Sequence, residues 1–199
     1  MQGTELNVVC EGLLSKIFQP DHENKCGFVV LLTSMHSGAG VSEITRAMAE
    51  SLDQHGNEFA ILLNARGAEL ENTASEVIGA RPVQTPDRLW EHDGSDSACE
   101  NWQSLQTRLA SYFDQLRHEY RYVLIDCPSL KDSQDAVMLA PLVDGVVLVV
   151  DANRTQKSQL LYAERMIEAA RGRLLGHVLN RRSYVVPDWL HRKLEAVGI

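Results

Sequence analysis

The residues with the most chemical potential lie in one short run, Thr33-Ser34-Met35-His36-Ser37-Gly38-Ala39-Gly40-Val41-Ser42-Glu43. It stands between a continuous apolar stretch and a segment with helical spacing. A glycine-rich turn in that place points successive backbone N–H groups at an anion, where a helix begins. The complete phosphate-loop pattern is GxxxxGK[ST]. Gly40 and Ser42 hold their places in it, whereas Met35 stands at the first glycine and Val41 at the lysine. That lysine is the point charge that reaches the β- and γ-phosphates, and a valine supplies none. One lost charge-assisted contact costs on the order of 1.5–3 kcal/mol in binding, and the cost to transition-state stabilisation can be larger. Glu43 adds negative charge beside Ser42, which is unfavourable for a triphosphate. As a first-turn residue at the positive end of a helix dipole it is comfortable. The loop of Ser37, Gly38, Ala39, Gly40, Val41, Ser42 and Glu43 therefore reads as a degenerate phosphate loop, better suited to standing empty than to holding ATP.

The elements that position this loop alternate in type. Residues 27–33 form an apolar run that fits a strand buried on both faces. A helix follows from about Ser42 to Gln54, with Ile44, Met48 and Leu52 on one side, and then a second strand over 58–63. Residues 66–102 are polar, carry Gly79, Pro82, Pro86 and Gly94, and include the acidic stretch around Glu91–Glu100. They read as a short helix followed by a long, mobile surface loop. Trp102, Leu105, Leu109, Tyr112, Phe113 and Leu116 mark a long helix whose spaced side chains serve core packing. Strands at 121–126, 144–151 and 174–180 alternate with helices over about 132–142 and 156–170. An amphipathic helix over 4–18 precedes the first strand, and Pro187 opens a final short helix. The pattern implies an α/β fold with a mostly parallel central sheet, helices on both faces and ligands at the carboxyl ends of the strands. We read residues 1–199 as a single domain.

Bulk properties narrow the function. A 44% hydrophobic, 23% charged composition is that of a soluble globular protein. The formal net charge of -8 argues against nucleic acid as a partner. The basic residues Arg171, Arg173, Arg181, Arg182, His191, Arg192 and Lys193 read as a solvated helix end and loop. Cys10, Cys26, Cys99 and Cys127 form no CxxC pair, which points to reduced thiols and a cytoplasmic location. No signal peptide is visible, and the apolar stretch near 143–150 is too short to insert in a membrane.

The run LLTSMHSGAGVSEITRAMAESL resembles the phosphate loop of the bacterial tyrosine kinases that regulate capsular and exopolysaccharide export, whose loop reads approximately TSxxPGEGKST. These kinases sit in the wider class of the chromosome-partitioning and septum-positioning ATPases, and the resemblance covers nearly the whole chain. YVLIDCPSL is similar to the family's Walker B strand, hhhhDxPP, and GHVLNRRSYVVPDWL to its terminal GxVLN stretch. The resemblance implies a phosphate-loop NTPase fold. It also implies a role for Ser42 and Asp126 as ligands of Mg²⁺ and for Asn180 and Arg181 near the nucleotide base. In this frame the family's DxDxR strand end aligns with Leu62-Leu63-Asn64-Ala65-Arg66, so that Asn64 and Arg66 replace both aspartates. An amide holds Mg²⁺ less well than a carboxylate and is no useful base at neutral pH. After Tyr184 there is no further tyrosine, so the tyrosine-rich tail of many relatives is missing. His36 falls where the partitioning ATPases carry a second lysine, and reads as an exposed loop residue, mostly neutral at pH 7.

Loss of the lysine and of both acidic residues in one site leads to the expectation of a non-catalytic, kinase-like regulatory or scaffold protein. No cofactor is required on this reading, and ATP or ADP with Mg²⁺ is expected to bind weakly at best. The implied partners are proteins of a polysaccharide synthesis or export system, such as a membrane copolymerase that recruits the chain to the inner membrane, or an active kinase; self-association is a further expectation. The alternative is an active ATPase or protein tyrosine kinase in which Lys25, His36, Arg46 or Arg66 substitutes for the missing lysine.

Overall fold

The computed structural model describes residues 27–54, 59–62 and 102–181. The helices expected over 4–18 and from Pro187, residues 66–101 with the acidic stretch, and Lys25, Asn64 and Arg66 lie outside the described residues.

Five strands form one parallel sheet in the order β2-β3-β1-β4-β5: β1 (Phe28–Ser34), β2 (Phe59–Leu62), β3 (Tyr122–Asp126), β4 (Gly145–Asp151) and β5 (Leu174–Asn180). The helices among them are α1 (Val41–Gln54), α2 (Trp102–Glu119), α3 (Asp135–Leu139) and α4 (Lys157–Ala169). Strand side chains alternate between faces, and the central strands divide accordingly. Val29, Leu31, Val123, Ile125, Val146 and Leu148 enter one core with Leu109, Phe113 and Leu116 of α2, Leu139 of α3 and Ile167 of α4. Val30, Leu32, Leu124, Val147 and Val149 enter the other, against Ile44, Met48 and Leu52 of α1. Both faces are thus covered, which is why β1 and β4 read as unbroken apolar runs rather than as alternating ones.

The helix expected over 132–142 is shorter. Only Asp135–Leu139 is α-helical, and Ala140–Leu142 tighten into a 3₁₀ turn. Pro141 has no N–H to continue the ladder. Residues 127–134 run as an irregular segment along the carboxyl edge of the sheet.

Asp144, between that turn and β4, fastens three elements. Its Oδ2 accepts from the backbone N–H of Val29 at 2.7 Å and from Arg117 Nε at 3.1 Å. Arg117, near the end of α2, also donates to the Leu142 carbonyl at 3.1 Å. With β1 central, flanked by β3 and β4, the loop that follows β1 emerges at the middle of the carboxyl edge.

Candidate functional site

The loop after β1 takes a shape that its glycines permit. Gly38 and Gly40 have φ values of +77° and +88°, the left-handed region that other residues enter only at a cost. The carbonyl of Gly40 accepts the N–H of Ile44 at 3.0 Å, the first turn of α1. The N-terminus of this 14-residue helix, with its free N–H groups and positive dipole end, therefore stands at the loop. Ser34 Oγ donates to the carbonyl of His36 at 2.8 Å, and that tight turn leaves His36 half-buried rather than exposed.

Asp126 ends β3, in register with Leu32 of β1, and is only 6% exposed. Burial raises its carboxyl pKa; the hydrogen bond from the Ser42 side chain and the nearby Arg46 guanidinium act in the opposite direction without cancelling that effect. Ser42 and Arg46 are four residues apart on α1 and so share a face. The adjacent Cys127 is also buried. Burial first, then the charges of Asp135 and Asp126, keep it a neutral thiol far from its reactive form.

A cavity of about 650 Å³ opens between the loop, the first three turns of α1 and the segment after β3. Ser37, Gly38, Gly40, Val41, Ser42, Glu43, Asp126 and Arg181 all line it. The structure thus gathers these sequence-identified residues in one place, while Ala39 is buried behind the loop. Asn180 is drawn to the loop's back, where its Nδ2 donates to the Ala39 carbonyl at 2.9 Å. Asn64 and Arg66 lie outside the described residues.

The wall also holds residues that were not assigned to a site: Glu50, Ser129 and Asp132. The Ser42-x₃-Arg46-x₃-Glu50 spacing on α1 was the available signal for Glu50. Ser129 and Asp132 arrive by a non-local route. The segment after β3 is tied to β1 by Thr33 Oγ1, which donates to the Pro128 carbonyl at 2.7 Å, and by Leu130 N–H to Ser34 O at 2.8 Å. Ser129 Oγ in turn donates to Asp132 Oδ2 at 2.6 Å.

The charges on the wall are mixed. Glu43, Glu50, Asp126 and Asp132 face Arg46 and Arg181 across the same space. Arg181 is shared with Asp151 at 3.5 Å. The carboxylate of Glu43 reaches back over the loop, since Oε2 would lie 3.2 Å from a Cβ built on Gly40. The backbone is therefore shaped for an anion, whereas the described side chains around it carry more negative than positive charge.

No family model matches the chain. It is 26% identical to the tyrosine-protein kinase CpsD of Streptococcus agalactiae over 178 residues, which cover 80% of this chain and 76% of that protein. It is 35% identical over 75 residues to CapB of Staphylococcus aureus, whose name is that of a tyrosine-protein kinase; the match covers 38% of this chain and 33% of CapB. A 76-residue match at 33% identity links it to the succinoglycan biosynthesis transport protein ExoP of Rhizobium meliloti, covering 37% of this chain and 9% of ExoP. Among solved structures, the VpsO kinase domain superposes with a TM-score of 0.60 at 22% identity, over 90% of this chain and 97% of that one. The chain is similar in sequence to bacterial tyrosine-protein kinases and carries the fold of kinase domains from such proteins.

Proposed function

We propose that this chain is a non-catalytic, kinase-like module of a polysaccharide synthesis or export system, acting through protein partners rather than through phosphoryl transfer. The observation that carries the reading is the balance of charge at the loop. Val41 stands where the phosphate-binding lysine belongs, and among the described residues Glu43, Glu50, Asp126 and Asp132 outnumber the two arginines of the cavity wall. Phosphoryl transfer depends on cations that neutralise the charge developing on the transferred group. This donor set does not fit a tightly held Mg-nucleotide. Ser42 and Asp126 are bonded to one another, and Glu43 brings a carboxylate to the side from which phosphates would approach. The replacement of the second acidic motif by Asn64 and Arg66 points the same way.

The polysaccharide setting rests on the relatives, one of which is named for succinoglycan transport. The partners on this reading are a membrane copolymerase that brings the chain to the inner membrane, or an active kinase. No helix among the described residues is long and apolar enough to cross a membrane, so membrane recruitment would run through such a partner.

Arg46 favours a second reading. It lines the cavity one turn after Ser42, near enough to Asp126 to act on its carboxyl group, and an arginine there is the best-placed described substitute for the lysine of an active ATPase or tyrosine kinase. A thermal-shift titration with ATP, ADP and Mg²⁺ separates the two. Non-catalytic function predicts an unmoved melting temperature at millimolar nucleotide and no phosphotyrosine by mass spectrometry. Stabilisation by several degrees, which mass action requires of a native-state ligand, together with phosphotyrosine, would overturn it in favour of Arg46.

A further inference from the structure

The loop's conformation has a source in the protein itself. Gly38 sits between two residues whose carbonyls are both held from the far side of the sheet. Arg154, in the turn after β4, donates through one terminal nitrogen to the Ser37 carbonyl at 3.3 Å. Asn180, the last residue of β5, donates through Nδ2 to the Ala39 carbonyl at 2.9 Å. The amide of Asn180 is itself oriented, because its Oδ1 accepts the N–H of Arg181 at 2.8 Å. Asn180 also packs closely on the next residue of the loop: a Cβ on Gly40 would come within 2.2 Å of its Nδ2. Glycine at 40 is thus demanded twice, by its φ and by the asparagine behind it.

The two donors are braced together. The Ala152 N–H bonds to the Asn180 carbonyl at 3.0 Å, and Asn153 Nδ2 to the Arg181 carbonyl at 2.7 Å. Asp151 accepts the Asn153 N–H at 2.9 Å and faces Arg181 at 3.5 Å. Arg181 itself adopts a φ of +57°, a strained choice for a non-glycine residue that these contacts maintain.

We propose that Asn180 and Arg154 form a clamp that sets the shape of the phosphate loop without any ligand, and that they are positioning residues for it. A glycine-rich loop loses more conformational entropy than other segments when it is ordered. Two hydrogen bonds on either side of the left-handed Gly38 offset that loss. The loop and the β4–β5 end of the sheet then behave as one unit, whether or not nucleotide binds.

Amide hydrogen exchange on the full chain, without nucleotide, tests this. The variants are Asn180→Asp, which keeps an acceptor for Arg181 N–H but has no donor for Ala39, and Arg154→Ala, whose exposed side chain leaves both cores intact. Each should speed exchange in peptides covering residues 35–44 by roughly tenfold, about one hydrogen bond's worth. Exchange in β1 and β3 should not change, and Tm should stay within a few degrees. Unchanged loop exchange in both variants would overturn the clamp. So would a rise shared equally by every strand, which would mean that these residues serve the sheet and not the loop. Because the measurement contains no nucleotide, its failure leaves the proposed function standing, and the nucleotide titration leaves the clamp standing.

Discussion

Placing a lysine at position 41 is the most direct probe of the proposed reading of the loop. Val41 is the first residue of α1, half-buried, and on the cavity wall. Val41→Lys places an ammonium at the helix end where the loop's N–H groups converge. One charge-assisted contact of that kind contributes about 1.5–3 kcal/mol, or roughly a 10- to 150-fold gain in affinity. If the native chain binds Mg-ATP with a Kd of about 10 mM, the variant should reach about 0.1–1 mM on that gain. At about 5 mM nucleotide, mass action then stabilises the variant by roughly 1–2.3 kcal/mol, against about 0.2 kcal/mol for the native chain. In a domain of this size those values correspond to about 2–9 °C in Tm for the variant and less than about 1 °C for the native chain.

The assay is the thermal shift of both proteins with and without Mg-ATP, with Val41→Gln as a control of similar length and no charge. The lysine alone pays a small penalty at the positive helix end, about 0.3–1 kcal/mol, visible as a lower Tm without nucleotide. Phosphotyrosine should stay absent even in Val41→Lys, because Asn64 and Arg66 still stand at the second acidic motif. If Val41→Lys gains no more from nucleotide than Val41→Gln does, the missing cation is not what limits binding and the reasoning from charge fails.

Two further predictions follow from the same contacts. Asp126→Asn should stabilise the protein by about 1 kcal/mol at pH 7, because an uncharged amide avoids the cost of a buried carboxylate and still accepts from Ser42. The native pKa is raised above the ordinary 3.8 by burial, so the neutral acid is favoured in the fold and native stability falls as pH rises through the raised value. The advantage of the variant in Tm should therefore be full near neutrality and vanish as pH drops below 3.8; an advantage independent of pH would refute this. At the opposite end of the sheet, Asp144→Ala should cost about 1–3 kcal/mol, since it strands the Val29 N–H and takes one of three partners from the Arg117 guanidinium, which keeps Asp114 and the Leu142 carbonyl. The urea midpoint should fall with an unchanged slope, and Asp144→Asn, which keeps an acceptor, should recover part of the loss.

How much of this was legible beforehand depends on how local each feature is. β1 and β4 announced themselves because burial on two faces leaves nothing polar to interrupt them, and α1 because Ile44, Met48 and Leu52 share one stripe. The helix over 132–142 was overextended for a physical reason. Ala136, Leu139, Ala140 and Val143 keep a helical rhythm against the core, while the backbone tightens at Pro141 and is preceded by the run from Cys127 to Gln134 that β1 holds to itself. His36 was misplaced by a single hydroxyl, that of Ser34, which closes the turn around it.

The site shows the same division. Its members could be read off one by one, because a glycine pair before a helix and an aspartate at a strand end are local patterns. Their balance could not, because it is set by neighbours brought from far along the chain. Asn180 meets Ala39 across 141 residues, and Arg154 meets Ser37 across 117. On the proposed reading, these distant contacts are what would let the architecture outlast the chemistry. The positive-φ glycines, the close approach at Gly40 and the contact of the exposed Ser42 with the buried Asp126 are held by packing and by hydrogen bonds within the protein. None of them requires the lysine, whose charge acted on a ligand and not on the fold. A chain can therefore replace that lysine with valine at little cost to its stability and still look, in outline, like the kinases it resembles.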